Sequence, residues 1–509
     1  MSTASRTRRE ADYDSISRPR KNRATIAPAA FRTNQEGIVT VRNPIVTSVA
    51  GKPTLLLGDY ELADLGYIAE EFFISATAVS YASDAHLGSD GQWCVRPCAE
   101  ADYVTRMVIL KPMDTAKFNG TAIVEWLNVT GGMDTAVDWL MAHREIVRAG
   151  SVYVAVSAQR VGVEGGPSRG ANNSLKTINP ERYSRLRHPG DAYSYDIFSQ
   201  AGRLVRDAQH NGILGSLRPD YVLAVGESQS AMFLTTYINA VDPLARVYDG
   251  FLIHSRFAST APLDGNSMFG PADAGMSVAP KFRSDVRVPL INVITETDLI
   301  GGPRPGYYLA RQPDSALLRT WEIAGTAHAD NYIIQVGRID TGFASLTDLV
   351  AAYAPTRNLM GAQVTQSINF APQHHYVVQA ALVALHNWVR SGEPAPIAQP
   401  IELTDTHPPQ LILDENGLAT GGIRTPWVDV PIARTSGLGN EDNVLASLFG
   451  SGEPFDAAIL RRLYPCGPTE YLERFEVSLD AAIARGFVLP ADRQEILELA
   501  CAMSPSTLF

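Results

Sequence analysis

Cysteine is scarce in this chain, with four residues among 509. Cys94 and Cys98 stand in Cys-Val-Arg-Pro-Cys, while Cys466 and Cys501 lie far downstream. A disulfide framework needs a denser supply. A zinc site needs four ligands at tight spacing, and no second pair or histidine cluster stands near the first. No metal is therefore expected. Long apolar runs are also missing: no stretch approaches the roughly 20 residues that span a bilayer, so no membrane partner is expected. Positive charge is in deficit, with 43 Lys and Arg against 54 Asp and Glu and a net charge of −11. Nucleic-acid binders usually show the reverse, and the acidic balance mainly favours solubility. No Gly-x-Gly-x-x-Gly follows a strand pattern and no Walker-type lysine loop occurs, so no nucleotide cofactor is expected. No apolar segment follows the early arginines, which reads against a signal peptide and for reduced thiols in the cytoplasm.

What is present is the composition of a folded chain, 45% apolar and 19% charged. Residues 1–30 are basic and poor in apolar side chains, and read as a disordered tail. From there to residue 399, short apolar runs alternate with helical patterns. The strand patterns are 103–112, 121–127, 152–158, 221–225, 250–254, 289–295 and 319–324. Helical periodicity covers DWLMAHREIVRAG, 195–208, a stretch from about Gln229, and HYVVQAALVALHNWVRSG. Apolar runs of four to eight residues separated by helices predict a mostly parallel, buried sheet with helices on both faces, an α/β fold. Residues 256–286 and 330–370 interrupt the alternation and read as lid insertions. Residues 400–509 form a C-terminal extension with too little strand pattern for an independent domain.

The chemistry concentrates at strand ends. The run YVLAVGESQSAMFLTTYINAV (221–241) is strand, sharp turn, helix, with Ser228 at the apex in the context of a nucleophile elbow. It departs from Gly-x-Ser-x-Gly at Ser230. A serine hydroxyl needs a base, and the base needs an orienting acid. The strand 289–295 is followed by Glu296-Thr297-Asp298 and the strand 319–324 by Gly325-Thr326-Ala327-His328. This is the chain order serine, acid, histidine, on the rim where open parallel sheets bind ligands. Asp298, three residues past its strand, is preferred as the acid over Glu296. His254, His374 and His375 are read as supporting or structural. An oxyanion hole is expected from the N–H of Gln229 and from the loop after TAIVEWL, with Val129 first and Asn128 beside it. Trp126, Arg160 and Arg256 lie near strand ends as candidate substrate contacts, with a structural role preferred for the arginines.

With these motifs in hand, the chain resembles an α/β-hydrolase domain family of bacterial and fungal proteins, carboxylesterase-like and of largely uncharacterised substrate. The resemblance rests on DLGYIAEEFFISATA (64–78), NGTAIVEWLNVTGG (119–132), VGESQSA (225–231), VITETDL (293–299), AGTAHAD (324–330) and GGIRTPWVDVPIA (421–433). It implies that residues 400–509 belong to the hydrolase unit, and that Ser228 and His328 cleave esters. The expectation is thus a cofactor-independent serine hydrolase with Ser228, His328 and Asp298 acting on a small-molecule ester through an acyl-enzyme; a homo-oligomer is compatible with it. The alternatives are acyl transfer or lactone opening by the same residues, or a non-catalytic ligand-binding protein on the same fold.

Overall fold

A computed structural model describes residues 44–268, 279–302, 304–441 and 443–504. The expected tail, 1–30, and part of the insertion at 256–286 lie outside them. Nine strands form one sheet: β1 (Ile45–Val49), β2 (Tyr67–Ala82), β3 (Arg96–Pro112), β4 (Thr121–Trp126), β5 (Val152–Val156), β6 (Tyr221–Glu227), β7 (Gly250–His254), β8 (Leu290–Thr295) and β9 (Leu318–Ile323). Their spatial order is β1-β2-β3-β5-β4-β6-β7-β8-β9. From β5 to β9 every pairing is parallel, and β1, β2 and β3 add an antiparallel margin.

The parallel strands are apolar on both faces because both faces are covered. On β4 and β6, Ala122, Val124, Val222 and Ala224 enter one cluster, and Ile123, Leu223 and Val225 enter the other. Successive side chains of a strand point to opposite faces, so one strand feeds two cores. One core takes α1 (Val137–Ala149), and the other takes α2 (Ser194–Arg206) and α3 (Gln229–Thr236). A one-turn helix, α4 (Glu296–Ile300), follows β8 directly. The long α5 (His374–Ser391) joins α1 in the first core, as do α6 (Pro468–Ala484) and α7 (Arg493–Met503).

Two features differ from the sequence pattern. β2 was not read from periodicity, and β3 starts seven residues earlier than its apolar run. The outer end of β3 is exposed, as in Cys98, Glu100 and Asp102, while the facing end of β2 buries Ala78, Ser80 and Tyr81, and the ladder continues from Tyr67↔Pro112 to Ala82↔Arg96. Cross-strand hydrogen bonding carries β3 beyond its apolar run, and Ala78 and Tyr81 of β2 join the core that Tyr103 and Met107 enter. The stretch 330–370 also contributes to the core: Tyr332, Val336, Leu349 and Tyr353 are buried there.

The C-terminal residues share the sheet's core. Trp427, Phe475, Leu479 and Leu499 are in one cluster with Leu223, Ile291 and Trp321. Trp427 and Phe475 meet edge to face at 4.8 Å. Ile423 extends the β9 edge, donating to Glu322 O and accepting from Ala324 N. Among the described residues, no helix is long and apolar enough to cross a membrane. Truncating a fully buried Phe typically costs about 3–5 kcal/mol. Phe475→Ala should therefore lower the stability of the whole unit by that amount in urea unfolding, in one transition. A biphasic curve with only its first step shifted would show that the C-terminal segment unfolds separately.

Candidate active site

Ser228 forms the turn between β6 and α3. Its backbone sits at φ 56° and ψ −117°, a region costing on the order of 1–3 kcal/mol for a residue with a side chain. The neighbouring strand β7 and the following helix hold it there: the Ser228 N–H donates to His254 O at 2.8 Å, and Ser228 O accepts from Met232 N at 3.1 Å. Gly226 makes room for the turn. A Cβ on it would stand 2.9 Å from Leu234 Cδ1 and 3.2 Å from Ser230 Cβ. The departure from Gly-x-Ser-x-Gly is thus accommodated, with Ser230 itself fully buried.

His328 follows β9 and Asp298 is the third residue of α4. The Ser228 Oγ lies 2.8 Å from His328 Nε2, and His328 Nδ1 lies 2.6 Å from Asp298 Oδ1. Thr295 caps α4: its hydroxyl accepts from Asp298 N–H, and Asp298 Oδ2 accepts from the Thr295 N–H at 2.9 Å and its hydroxyl at 2.7 Å. This reciprocal cap fixes the carboxylate by satisfying the first donors of the helix. Burial alone would raise the Asp298 carboxyl, but the His328 charge and hydrogen bond, together with Thr295, outweigh it and hold the carboxyl below its ordinary value. An ionised carboxylate only accepts, so the ring proton sits on Nδ1 and Nε2 is the acceptor for the Ser228 hydroxyl.

Glu296 points elsewhere. It accepts from Gly325 N at 2.6 Å, Ser436 Oγ at 2.8 Å and Gly437 N at 2.8 Å, and burial raises its carboxyl. Its partners are loop donors, while the imidazole is on Asp298. Gly437 is required at that contact, because a Cβ there would lie 2.5 Å from Thr297 N and 2.6 Å from Glu296 Cβ.

The expected oxyanion donors are distributed differently. Gln229 opens α3, where the first N–H groups have no intrahelical acceptor. The Val129 N–H is directed at the Gln229 side-chain oxygen, 3.2 Å away. Asn128 is a correction: its N–H is bonded to Thr135 O at 3.1 Å, in a bridge across the loop. The Asn128 side chain instead reaches Glu227, with Nδ2 3.1 Å from Oε2.

Among the expected substrate contacts, Trp126 is corrected and Arg256 takes the structural role. Trp126 is fully buried, its ring stacked with Phe233 at 5.2 Å and tilted against Phe198 at 4.7 Å and Tyr195 at 5.8 Å. Arg256 is fully buried and bonds to the carbonyls of Phe257, Ala258 and Pro280, stapling its own loop. Burial brings its guanidinium down to about 10. Arg160 is exposed, with Nη1 on Gly165 O at 3.3 Å. What comes over the imidazole instead is Phe257, at 5.1 Å between rings.

Of the polar groups behind Ser228, His254 and His374 take the supporting place expected of them, while Asp138 was not read from the sequence. His254 Nδ1 lies 2.9 Å from Asp138 Oδ1, and His254 Nε2 lies 3.0 Å from His374 Nε2. Burial brings His254 down to about 3 and pushes Asp138 up to about 8. His375 stacks flat on Tyr332 at 3.7 Å. The one available signal was the placement of Glu227 and His254 at neighbouring strand ends, which the register pairs directly. Among the described residues, no group of three or more His, Cys, Asp or Glu side chains is arranged to hold a metal ion.

A parallel sheet with a strained serine turn at a strand end, and histidine and aspartate on the following strand ends, defines a hydrolase of the α/β class. The chain belongs to the alpha/beta hydrolase domain family, whose model matches residues 41–498. Esterases are among the solved structures to which it is similar. Acetyl xylan esterase 1 from Thermoanaerobacterium is 11% identical, with 50% of this chain and 74% of that chain covered and a TM-score of 0.27. A fungal esterase from Rhizomucor miehei is 14% identical, with 63% and 85% covered and a TM-score of 0.26. A thermostable esterase from Pseudomonas putida is 11% identical, with 47% and 66% covered and a TM-score of 0.26. No curated protein matches the chain.

Asp330, just past His328, offers a test of the buried charges. Its Oδ1 accepts from Tyr332 N and Ile333 N, and burial pushes the carboxyl up to about 7. The folded chain then holds a proton that the unfolded chain releases near ~3.9. Stability must fall as pH rises from ~4 towards 7, by up to ~1.4 kcal/mol per pH unit from this one group. Asp330→Asn should flatten that slope in urea melts at pH 5, 6 and 7. Parallel slopes for both proteins would show that Asp330 is ionised in the folded state.

Proposed function

We propose that the protein is a serine esterase that cleaves small-molecule carboxylic esters through Ser228, His328 and Asp298, without a cofactor. The observation carrying this reading is the unbroken line from Asp298 Oδ1 through both His328 nitrogens to Ser228 Oγ, at 2.6 and 2.8 Å. Ser228 Oγ attacks the ester carbonyl while Nε2 takes its proton. Asp298 keeps Nδ1–H oriented and stabilises the imidazolium. The Gln229 N–H, at the head of α3, faces the charge that develops on the carbonyl oxygen. The imidazolium returns the proton to the departing alcohol, leaving an acyl-serine. Water then gives a proton to Nε2 as it attacks, and the acid is released.

The test uses p-nitrophenyl esters and a fluorophosphonate probe. Ser228→Ala should lose probe labelling and about 10⁶-fold in turnover, with its thermal melt retained. Labelling that survives in this variant but disappears in Ser230→Ala would move the nucleophile.

The two carboxylates near the base separate by their partners. Asp298→Asn should lose about 10⁴-fold in kcat, because the amide cannot hold the required tautomer. Glu296→Gln should keep turnover within about tenfold but lose about 1–3 kcal/mol of stability, since its new amide hydrogens meet donors rather than acceptors. Rates in the opposite order would transfer the orienting role to Glu296.

A further inference from the structure

Glu227, the residue before the nucleophile, is buried and has no place in the mechanism above. Its Oε1 stands 3.4 Å from Nε2 of His328, the nitrogen that takes the serine proton and returns it to the leaving alcohol in the mechanism above. Its Oε2 is 3.1 Å from Asn128 Nδ2, which is also 3.2 Å from Glu227 O. The Asn128 amide is oriented by its other end, where Oδ1 accepts from the Thr130 N–H at 2.7 Å. Nδ2 therefore donates and Oε2 accepts. Burial, then the nearby acidic groups of Asp138, Asp298 and Glu125, push the Glu227 carboxyl well above its ordinary range, against the opposing bond from Asn128. These causes favour the protonated acid. With Oε2 committed as acceptor, that proton belongs on Oε1, facing Nε2.

The surroundings fit a neutral acid. The loop after β4 brings Asn128, β4 brings Glu125, α1 brings Asp138, β7 brings His254, and the ends of β8 and β9 bring Asp298 and His328. His254 is itself held neutral by burial. No lysine or arginine is among the groups that shift Glu227.

An oxygen that takes a proton from Nε2 must come within about 2.6–3.2 Å of it. On the Glu227 side of the ring, such an oxygen is also in reach of Oε1. We propose that Glu227 is a further catalytic residue, donating a hydrogen bond from Oε1 to the oxygen of the departing alcohol, and that the site is thereby suited to esters of ordinary alkyl alcohols. This rests on the esterase reading given above. In the step concerned, the bond between the tetrahedral carbon and the alcohol oxygen breaks and its electron pair stays on that oxygen. The Nε2 proton passes to the same oxygen, and the imidazole returns to neutral. Glu227 shares its proton but does not give it up.

The signature is dependence on the leaving group. An alkoxide concentrates charge on the departing oxygen, whereas p-nitrophenoxide spreads it over the ring and has less need of a second donor. The full-length chain is assayed with ethyl, phenyl and p-nitrophenyl butyrate, and kcat/KM is compared because it reports only steps up to acyl-enzyme formation. Glu227→Ala should lose about 10²–10³-fold on the ethyl ester, as for removal of one oxyanion donor, and less than about tenfold on the p-nitrophenyl ester. Glu227→Gln keeps an acceptor for Asn128 and an N–H towards Nε2, and should recover the ethyl ester rate to within about tenfold. In the unmodified protein, the ethyl to p-nitrophenyl ratio should fall as pH rises and Oε1 loses its proton, and in Glu227→Gln it should stay flat. That arm applies even if the alanine variant does not fold. Equal losses on all three esters, a glutamine variant as poor as the alanine variant, or a pH-independent ratio in the unmodified protein would each overturn the role. An unmodified protein that neither takes the fluorophosphonate probe nor cleaves any ester would overturn the esterase reading first, and this one with it.

Discussion

The site depends on how the two oxygens of Asp298 are divided. Oδ2 is held by the N–H and hydroxyl of Thr295, so the carboxylate is built into the first turn of its own helix. Oδ1 is left for His328 Nδ1. A carboxylate on a flexible loop would lose rotamer freedom each time it met the imidazole. Here that freedom is already lost on folding, as part of the helix cap. The fixed acid sets the ring tautomer, and the tautomer makes Nε2 an acceptor for Ser228. Each element of the line is therefore positioned by a strand end rather than by the line itself, as preorganisation requires.

Such a site has a cost, because many ionisable groups are buried close together behind the serine. Glu125, Asp138, Glu227, His254 and His374 are all shifted toward their neutral forms, chiefly by burial. Desolvating a charge is expensive and groups in this position usually neutralise instead. The exception is Asp298, whose bonds and neighbouring imidazole keep it ionised. One charged carboxylate among neutralised neighbours gives His328 a single, unambiguous partner. Had Glu227 remained ionised as well, the imidazolium would be attracted from both sides and would release its proton less readily.

The parts of this arrangement visible in the sequence are those set by local pattern. The parallel strands read clearly because burial on both faces makes them near-continuous apolar runs. Ser228, Asp298 and His328 stood out because each follows such a run, and the structure brings them within hydrogen-bonding distance of one another. β2 and the outer end of β3 were not visible, since residues 96–102 carry no apolar run and are held by pairing with β2. Asn128 was misassigned because its N–H is consumed by Thr135, seven residues on, and a loop bridge leaves no periodic trace. Trp126 and Arg256 sit near strand ends in the chain but turn inward, toward aromatic rings and backbone carbonyls. A position beside the rim says nothing about the direction of the side chain.

The C-terminal segment shows why so large a chain encloses a site of so few residues. The turn carrying Glu296, Thr297 and Asp298 is closed from behind by residue 437. The Thr297 hydroxyl donates to Gly437 O at 2.5 Å and accepts from the His328 N–H at 3.1 Å. Glu296 receives both Ser436 and Gly437 on one oxygen and Gly325 on the other. The loop bearing the acid and the loop bearing the base are thus joined through a segment that lies about 140 residues further along the chain. The approach is too close for any side chain at 437, so its glycine is a steric requirement. The helices that follow are anchored in the same core as β6 and β8, through Phe475 and Leu479. The extension therefore acts as the back wall of the acid and base loops, and the geometry at Ser228 depends on packing from residues that never approach it.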